Sequence, residues 1–147
     1  KIYKNAERNT MNNEEILKQP FTKKLEEIEE GMNLDIYKTD TDIEIIKELM
    51  SRQLFLDEFL YHPNPNIRIL LTKLDYGLDI LSNDPIPAIR MAVARRHYGL
   101  EKLAKDPDWM VRMTVAQQGY KPTQMIKDEH ICVRQAVYEL MLQAQNL

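Results

Sequence analysis

Apolar residues in the second half of this chain recur at spacings of three and four, which is the period of an amphipathic helix. Ile89 and Val93 belong to one such run, which ends at Gly99. A shorter run with Leu100 and Leu103 follows, and it leaves room for one to two helical turns before the next Asp-Pro. The pattern predicts pairs of one moderate and one very short helix, the latter of α or 3₁₀ type.

The same pattern returns every 22 residues, and no gap is needed to align the copies. We predict four repeats and a weaker first copy, in which Ile46 takes the place of an arginine. Self-similarity at a fixed period indicates stacked units that cannot bury their apolar faces alone. The repeats are 40–61 (the weaker copy), 62–83, 84–105, 106–127 and 128–147, and the recurring polar residues are Arg68, Arg90, Arg112 and Arg134, then Asp84, Asp106 and Asp128, then Tyr76, Tyr98 and Tyr120.

Residues 84–105 illustrate how one repeat is expected to fold. Asp84 suits the N-cap of the longer helix, and Pro85 suits its first residue because the missing N–H costs nothing there. Gly99 can take the positive φ of the turn into the shorter helix. Stacking against neighbouring repeats then completes a continuous core.

The segment before the repeats is predicted to be a separate, acidic helical cap that spans residues 1–39. Thr22 suits the N-cap of one of its helices, and Gly31 suits the end of that helix. Residues 1–10 are expected to be disordered, or to be a leader or a tag. The helical repeat domain then spans residues 40–147.

The residues from the end of one repeat to the middle of the next form a recognisable pattern: Leu100, Leu103, Ala104, Asp106, Pro107, Val111, Arg112, Val115 and Ala116. This pattern resembles the leucine-rich repeat variant family, and it is similar to the broader HEAT-like class, although 22 residues is short for a HEAT repeat. The last copy departs from it, with Glu129 in place of the proline and Pro122 in place of the leucine. The resemblance implies an all-α fold, a short right-handed α-solenoid or armadillo-like superhelix, and it says almost nothing about activity.

Composition and charge narrow the classes of function. With 44% hydrophobic and 29% charged residues, the chain has a globular balance, and a net charge of −3 gives no general attraction to nucleic acid. No apolar run reaches the length that spans a bilayer. The single cysteine, Cys132, excludes an internal disulfide framework and fits a reducing, cytoplasmic setting.

The recurring arginines have two interpretations. In the first, each guanidinium lies beside the core and pairs with an aspartate or a helix-end carbonyl of a neighbouring repeat, because a charge in such a place must be paired. In the second, the guanidiniums line a basic groove for phosphate. The first is favoured because the arginines recur in step with their apolar neighbours. This structural ladder would consist of Arg68, Arg90, Arg112, Arg134, Asp84, Asp106 and Asp128.

Two sets of residues are candidates for a binding surface. The first is an apolar strip, suited either to packing between helices or to gripping a partner helix or peptide. Its members are Ile69, Met91, Trp109, Met110 and Met113. The second is a basic cluster, Arg95 and Arg96, which could contact nucleic acid. A column is a set of positions that recur every 22 residues. In the later repeats, the columns of Arg95 and Arg96 hold neutral or acidic residues, so no basic stripe continues.

The sequence offers no catalytic, metal or cofactor-binding constellation. His130 and Cys132 are two potential ligands, and two ligands do not make a metal site. We therefore predict a non-enzymatic module that binds a protein or peptide of unknown identity, with no cofactor. The alternative is a HEAT-like nucleic-acid-binding module that uses Arg95 and Arg96.

Overall fold

The computed structural model describes residues 11–145, which form twelve α-helices and contain no strand. The prediction of an all-α fold is therefore confirmed for this part of the chain. Two compact units are present, one ending at Leu56 and the other beginning at Asp57. The helices are α1 (Asn13–Leu17), α2 (Phe21–Glu29), α3 (Leu34–Tyr37), α4 (Ile43–Ser51), α5 (Leu56–Phe59), α6 (Pro65–Lys73), α7 (Leu78–Leu81), α8 (Pro87–Arg95), α9 (Leu100–Leu103), α10 (Trp109–Gln117), α11 (Pro122–Met125) and α12 (Ile131–Gln145).

Long and short helices alternate with the period of the sequence. From α2 to α10 each long helix has nine residues, and each begins 22 residues after the one before. From α3 to α11 each short helix is a single turn of four residues, including the one that begins at Pro122. The period already starts at Phe21, inside the segment predicted as a separate cap. The compact units divide after Leu56. The boundary between residues 39 and 40 stays a prediction.

Two left-handed residues per repeat turn the chain from the long helix into the short one. The first closes the long helix: after α8, His97 has φ +57°, and the Tyr98 N–H donates to Val93 O at 3.4 Å. This bond, together with one from His97 N–H to Ala94 O at 2.9 Å, forms a Schellman motif. The second left-handed residue starts the short helix, and at Gly99 φ is +62°. The two columns are Gly31, Gln53, Asp75, His97 and Gly119, then Asn33, Phe55, Gly77, Gly99 and Lys121.

The predicted helix starts were wrong in two places. The long helix of repeat 84–105 begins at Pro87 with Ile86 as its N-cap, so Asp84 and Pro85 precede it. The residue before a proline is disfavoured in the α region, which holds Ile86 extended. Asp84 instead accepts the Ile86 N–H in an Asx turn, at 2.9 Å. Thr22 does not cap α2, because that helix begins one residue earlier, after Pro20.

Each unit has its own packing. In the first unit, α2 packs against α4 and α1 against α3. In the second, α6, α8, α10 and α12 pack each against the next. The core of the second unit comes from repeating columns of buried residues: Ile67, Ile89, Val111 and Val133, then Leu71, Val93, Val115 and Val137, then Leu81, Leu103 and Met125. Among residues 11–145 no helix has both the length and the apolar character needed to cross a membrane.

The final helix breaks the pattern by its length of 15 residues. Met141 occupies the column that holds Gly119 in the preceding repeat, where φ is +76° and the long helix ends. Met141 does not take the left-handed conformation, and the helix continues to Gln145.

His97→Gly is expected to stabilise the protein. A residue with a Cβ costs roughly 1–2 kcal/mol in the left-handed region, and glycine returns part of that gain through its greater freedom when unfolded. We expect the free energy of unfolding to rise by about 0.5–1 kcal/mol, measured by urea denaturation. His97→Ala is the control: it removes the imidazole and keeps the Cβ, so an equal gain from alanine would contradict the backbone explanation.

Candidate interaction surface

Three buried Arg–Asp pairs join consecutive repeats of the second unit. The Nε–Nη2 edge of Arg112 lies parallel to the carboxylate of Asp128. Nε lies 2.8 Å from Oδ2, and Nη2 lies 3.1 Å from Oδ1. The two side chains are only 9% and 10% exposed. The same two-bond geometry recurs in the pairs Arg68–Asp84 and Arg90–Asp106. Each pair connects residues 16 apart, from one long helix to the segment before the next.

Main-chain groups satisfy the remaining polar atoms of each pair. Arg112 Nη1 donates to the carbonyls of Asp106 at 2.8 Å and Pro107 at 3.4 Å. Asp128 Oδ1 also accepts the N–H of His130 at 2.8 Å. The guanidinium thus holds the Asp128 carboxylate and two carbonyls, and its Nη2 also lies 3.3 Å from Oε1 of the exposed Glu129, which leaves it poorly placed to receive a phosphate. The arrangement has the geometry expected of the structural ladder.

The carboxylates of Asp106 and Asp128 remain ionised despite their burial. Burial raises the pKa of Asp106 and of Asp128, but hydrogen bonds from the arginines and from the backbone N–H groups outweigh it, so both pKa values lie below the ordinary aspartate value. The hydrogen bond to Asp128 raises the pKa of Arg112 against the opposing effect of burial. Both partners are therefore charged at neutral pH.

Arg134 occupies the fourth position of the arginine column and has only part of this environment. Its Nη1 donates to the carbonyls of Asp128 and Glu129 at 2.7 and 2.8 Å, as the other arginines do in their own repeats. Between residues 11 and 145 no carboxylate bonds to its Nε or Nη2. The predicted ladder therefore has three aspartate pairs and one arginine that the described chain leaves without an aspartate.

A further buried pair, missed by the sequence reasoning, lies in the first unit. Lys24 Nζ donates to Asp40 Oδ2 at 2.7 Å, and both side chains are buried. Lys24 stands two periods before Arg68, and Asp40 two periods before Asp84. A shift of 44 residues is the signal that could have revealed it. Between these pairs the column holds a buried isoleucine, Ile46, which cannot form an ion pair.

The residues of the predicted apolar strip do not all lie alike. Ile69, Met91 and Met113 each take the fifth position of a long helix and are half-buried, while Met110 is exposed. Because α6, α8 and α10 pack side by side, the three half-buried residues form a row across neighbouring helices. Trp109 is engaged elsewhere: its ring stacks on His130 with centroids 4.2 Å apart.

The predicted basic cluster is split by an ion pair. Arg96 binds Asp75 of the preceding repeat through Nε and Nη2, at 2.6 and 2.7 Å. Arg95 is exposed at the end of α8. One of the two guanidiniums therefore has a carboxylate partner, and the other is exposed.

A shallow cavity of about 280 Å³ lies beside the short helices α9 and α11. Its charged lining residues are of both signs, namely Lys105, Lys121 and Lys127 with Glu101 and Asp128. Within the described part of the chain, no group of three His, Cys, Asp or Glu residues is placed to hold a metal ion.

Comparison of the chain with protein-family models, with curated proteins and with solved structures gave no match. The resemblance to helical repeat families therefore stays a resemblance. A fold alone does not fix an activity.

Arg112→Ala is expected to destabilise the protein by about 3 kcal/mol, because it leaves the Asp128 carboxylate buried without its partner. Urea denaturation monitored by circular dichroism measures the change. Arg96→Ala is the matched control, since it breaks a two-bond Arg–Asp pair that also joins adjacent repeats but is largely exposed. Its effect should be far smaller. Equal losses from the two variants would mean that burial does not set the strength of these pairs.

Acid should weaken the fold through Asp106 and Asp128. Their pKa values are lower in the folded protein than in the unfolded chain, so the stability they provide is present above the ordinary pKa of about 3.9 and is lost as the pH falls through the folded value. The free energy of unfolding should therefore decline from about pH 4 downward.

Denaturation curves at several pH values check this expectation. Asp128→Asn should be less stable than the parent at pH 7 and should show a shallower decline in acid. Parallel pH profiles for the two proteins would exclude Asp128 as a source of the acid sensitivity.

Proposed function

We propose that this chain is a non-enzymatic helical repeat module that binds a protein or peptide along one face. The observation that carries the proposal is the row of Ile69, Met91 and Met113, half-exposed at one register on three neighbouring long helices. A contiguous apolar row on a folded surface is typical of a site for a partner.

The proposal includes a right-handed α-solenoid of the leucine-rich repeat variant or HEAT-like kind. The constant helix period, the successive packing of α6 to α12 and the recurring Arg–Asp pairs support it. Each pair fixes the start of one long helix against the body of the helix before it. Such repetition keeps residues of one column aligned, which is how repeat proteins build extended binding surfaces.

The chemistry of the row suits a partner helix or an extended peptide with apolar side chains. Methionine is flexible and polarisable, so it adapts to irregular apolar partners. Complete burial of a methionine side chain contributes about 1.5–3 kcal/mol. Met91 and Met113 are already half-buried, so a partner would gain only part of this amount from each, and further contacts must supply most of the roughly 8 kcal/mol that a micromolar complex requires.

The observations favour a protein partner over nucleic acid. Arg96, one of two candidate phosphate ligands, is already bound by Asp75, and the net charge of the chain is −3. A cytoplasmic location is part of the proposal and rests on the single cysteine, Cys132.

A comparison of two double variants tests the apolar row. Met91→Glu with Met113→Glu places two charges in the row and should abolish capture of the native partner from cell extract, because buried unpaired carboxylates are costly. Thr123→Glu with Gln124→Glu is the matched control, since it adds the same charge at exposed positions of α11 and should retain capture. Bound proteins are identified by mass spectrometry, and circular dichroism verifies the fold of each variant.

Two results would contradict the proposal. Unfolding of the methionine variant would place the row in the core and remove it as a surface. Retention of the whole chain on heparin at low salt, lost as salt rises and lost on Arg95→Gln, would favour the nucleic-acid module instead.

A further inference from the structure

The face of α12 that points away from α10 is exposed to solvent, unlike the corresponding face of the earlier long helices. The clearest marker is Tyr138, whose side chain is 59% exposed. Among residues 11–145, every earlier residue of the Tyr138 column is at most 3% exposed, namely Ile28, Met50, Thr72, Ala94 and Ala116. A large aromatic side chain therefore lies in solvent at a register that the fold otherwise buries.

Arg134 lies beside Tyr138, and its guanidinium is already oriented. Its Nη1 is held by two main-chain carbonyls, as is Nη1 of Arg112. In Arg112 the opposite edge, formed by Nε and Nη2, binds the carboxylate of Asp128. Arg134 thus keeps the fixed orientation of a carboxylate receptor, and residues 11–145 supply no carboxylate to it.

The surroundings of Arg134 form a continuous stripe along α12. Ile131, Arg134, Tyr138 and Leu142 are spaced by 3, 4 and 4 residues, which places them on one helix face. We call these four residues the end stripe. Its three apolar members are exposed, Ile131 and Leu142 by 65% and 58%.

The equivalent face of α10 shows how such a stripe is used. There, Trp109 stacks on His130, and Arg112 binds Asp128, both just before α12. Ala116, at the Tyr138 position, is buried. This face of α10 is therefore where the next helix and its preceding aspartate dock.

We propose that the end stripe binds an amphipathic helix of a partner protein that is preceded by an aspartate in an Asx turn. The carboxylate would bind the single free edge of Arg134, formed by Nε and Nη2, and the apolar face of the helix would cover Tyr138 and Leu142. The charge of the receptor demands an acidic ligand, and the planar fork demands a bidentate one, which a carboxylate provides. This inference rests on the proposed function only in that the chain binds protein, and it uses a different surface from the row of Ile69, Met91 and Met113.

The chain itself supplies a suitable probe. Residues 84–95 contain an Asx-turn aspartate, Asp84, followed by α8, and this segment meets an arginine of the same column in the fold. Short helices are marginal in isolation, so the peptide is closed by a hydrocarbon cross-link between positions 88 and 95, which are both exposed in α8. Fluorescence anisotropy of the labelled peptide, titrated with the full chain, measures the affinity.

We expect a Kd on the order of 100 µM or tighter. Arg134→Gln in the chain should weaken binding about tenfold or more, and so should Asp84→Asn in the peptide. Combining the two changes should weaken binding little further, because both remove the same interaction. Arg95→Gln in the full chain is the matched control, since it removes an exposed arginine elsewhere and should leave the Kd unchanged.

Three results would overturn the inference: no binding at about 1 mM chain, an affinity indifferent to Arg134→Gln, or equal binding of the Asp84→Asn peptide. A dimer in sedimentation velocity that Arg134→Gln dissociates would also overturn it, because the occupant would then be a second copy. The Met91→Glu, Met113→Glu variant separates this inference from the proposed function, since it should lose the cellular partner and still bind the peptide.

Discussion

A guanidinium and a carboxylate withdrawn from water must satisfy each other, and this requirement fixes how one repeat meets the next in the second unit. Each pair joins a long helix to the segment that precedes the following one, while the remaining donors and acceptors bond to nearby main-chain groups. An apolar core alone would tolerate small slides of one helix along another, because hydrophobic burial has no direction. The parallel two-bond geometry of Arg112 and Asp128 does not tolerate such slides. It therefore keeps the apolar residues of successive repeats aligned.

The backbone adds a second constraint, since two left-handed residues between the helices set the angle of every turn. Glycine meets this requirement at little cost at Gly99, whereas His97 and Lys121 hold the same conformation with a Cβ present. The packing around these residues outweighs their local preference. The repeats thus keep one geometry with different turn residues. A glycine at the non-glycine turn positions would be expected to stabilise the protein.

Most of the regular architecture could be predicted because its determinants repeat. Arg90 and Asp106 stand out as columns, and the spacing of the apolar residues gives the helix pairs. Capping rules could not predict the helix start at Pro87. Asp84 is bound by Arg68 and accepts the N–H of Ile86 in a turn that precedes the helix, so it does not serve as the N-cap. Contacts that occur in only one repeat could not be predicted either, because they leave no periodic pattern.

Those single contacts decide much of the candidate surface. The pairing of Arg96 with Asp75 and the stacking of Trp109 on His130 depend on three-dimensional proximity across a repeat boundary. Each gives a candidate binding residue a partner within the chain. The half-burial of the methionine row likewise depends on the packing of whole helices.

The fixed separation of 16 residues between arginine and aspartate has a consequence for how such a chain can change in length. One residue inserted within a helix between them would rotate the residues that follow in that helix by about 100° and carry the carboxylate away from the guanidinium. Growth or loss of whole 22-residue units preserves every pair, so duplication of complete units is the tolerated route of evolutionary change.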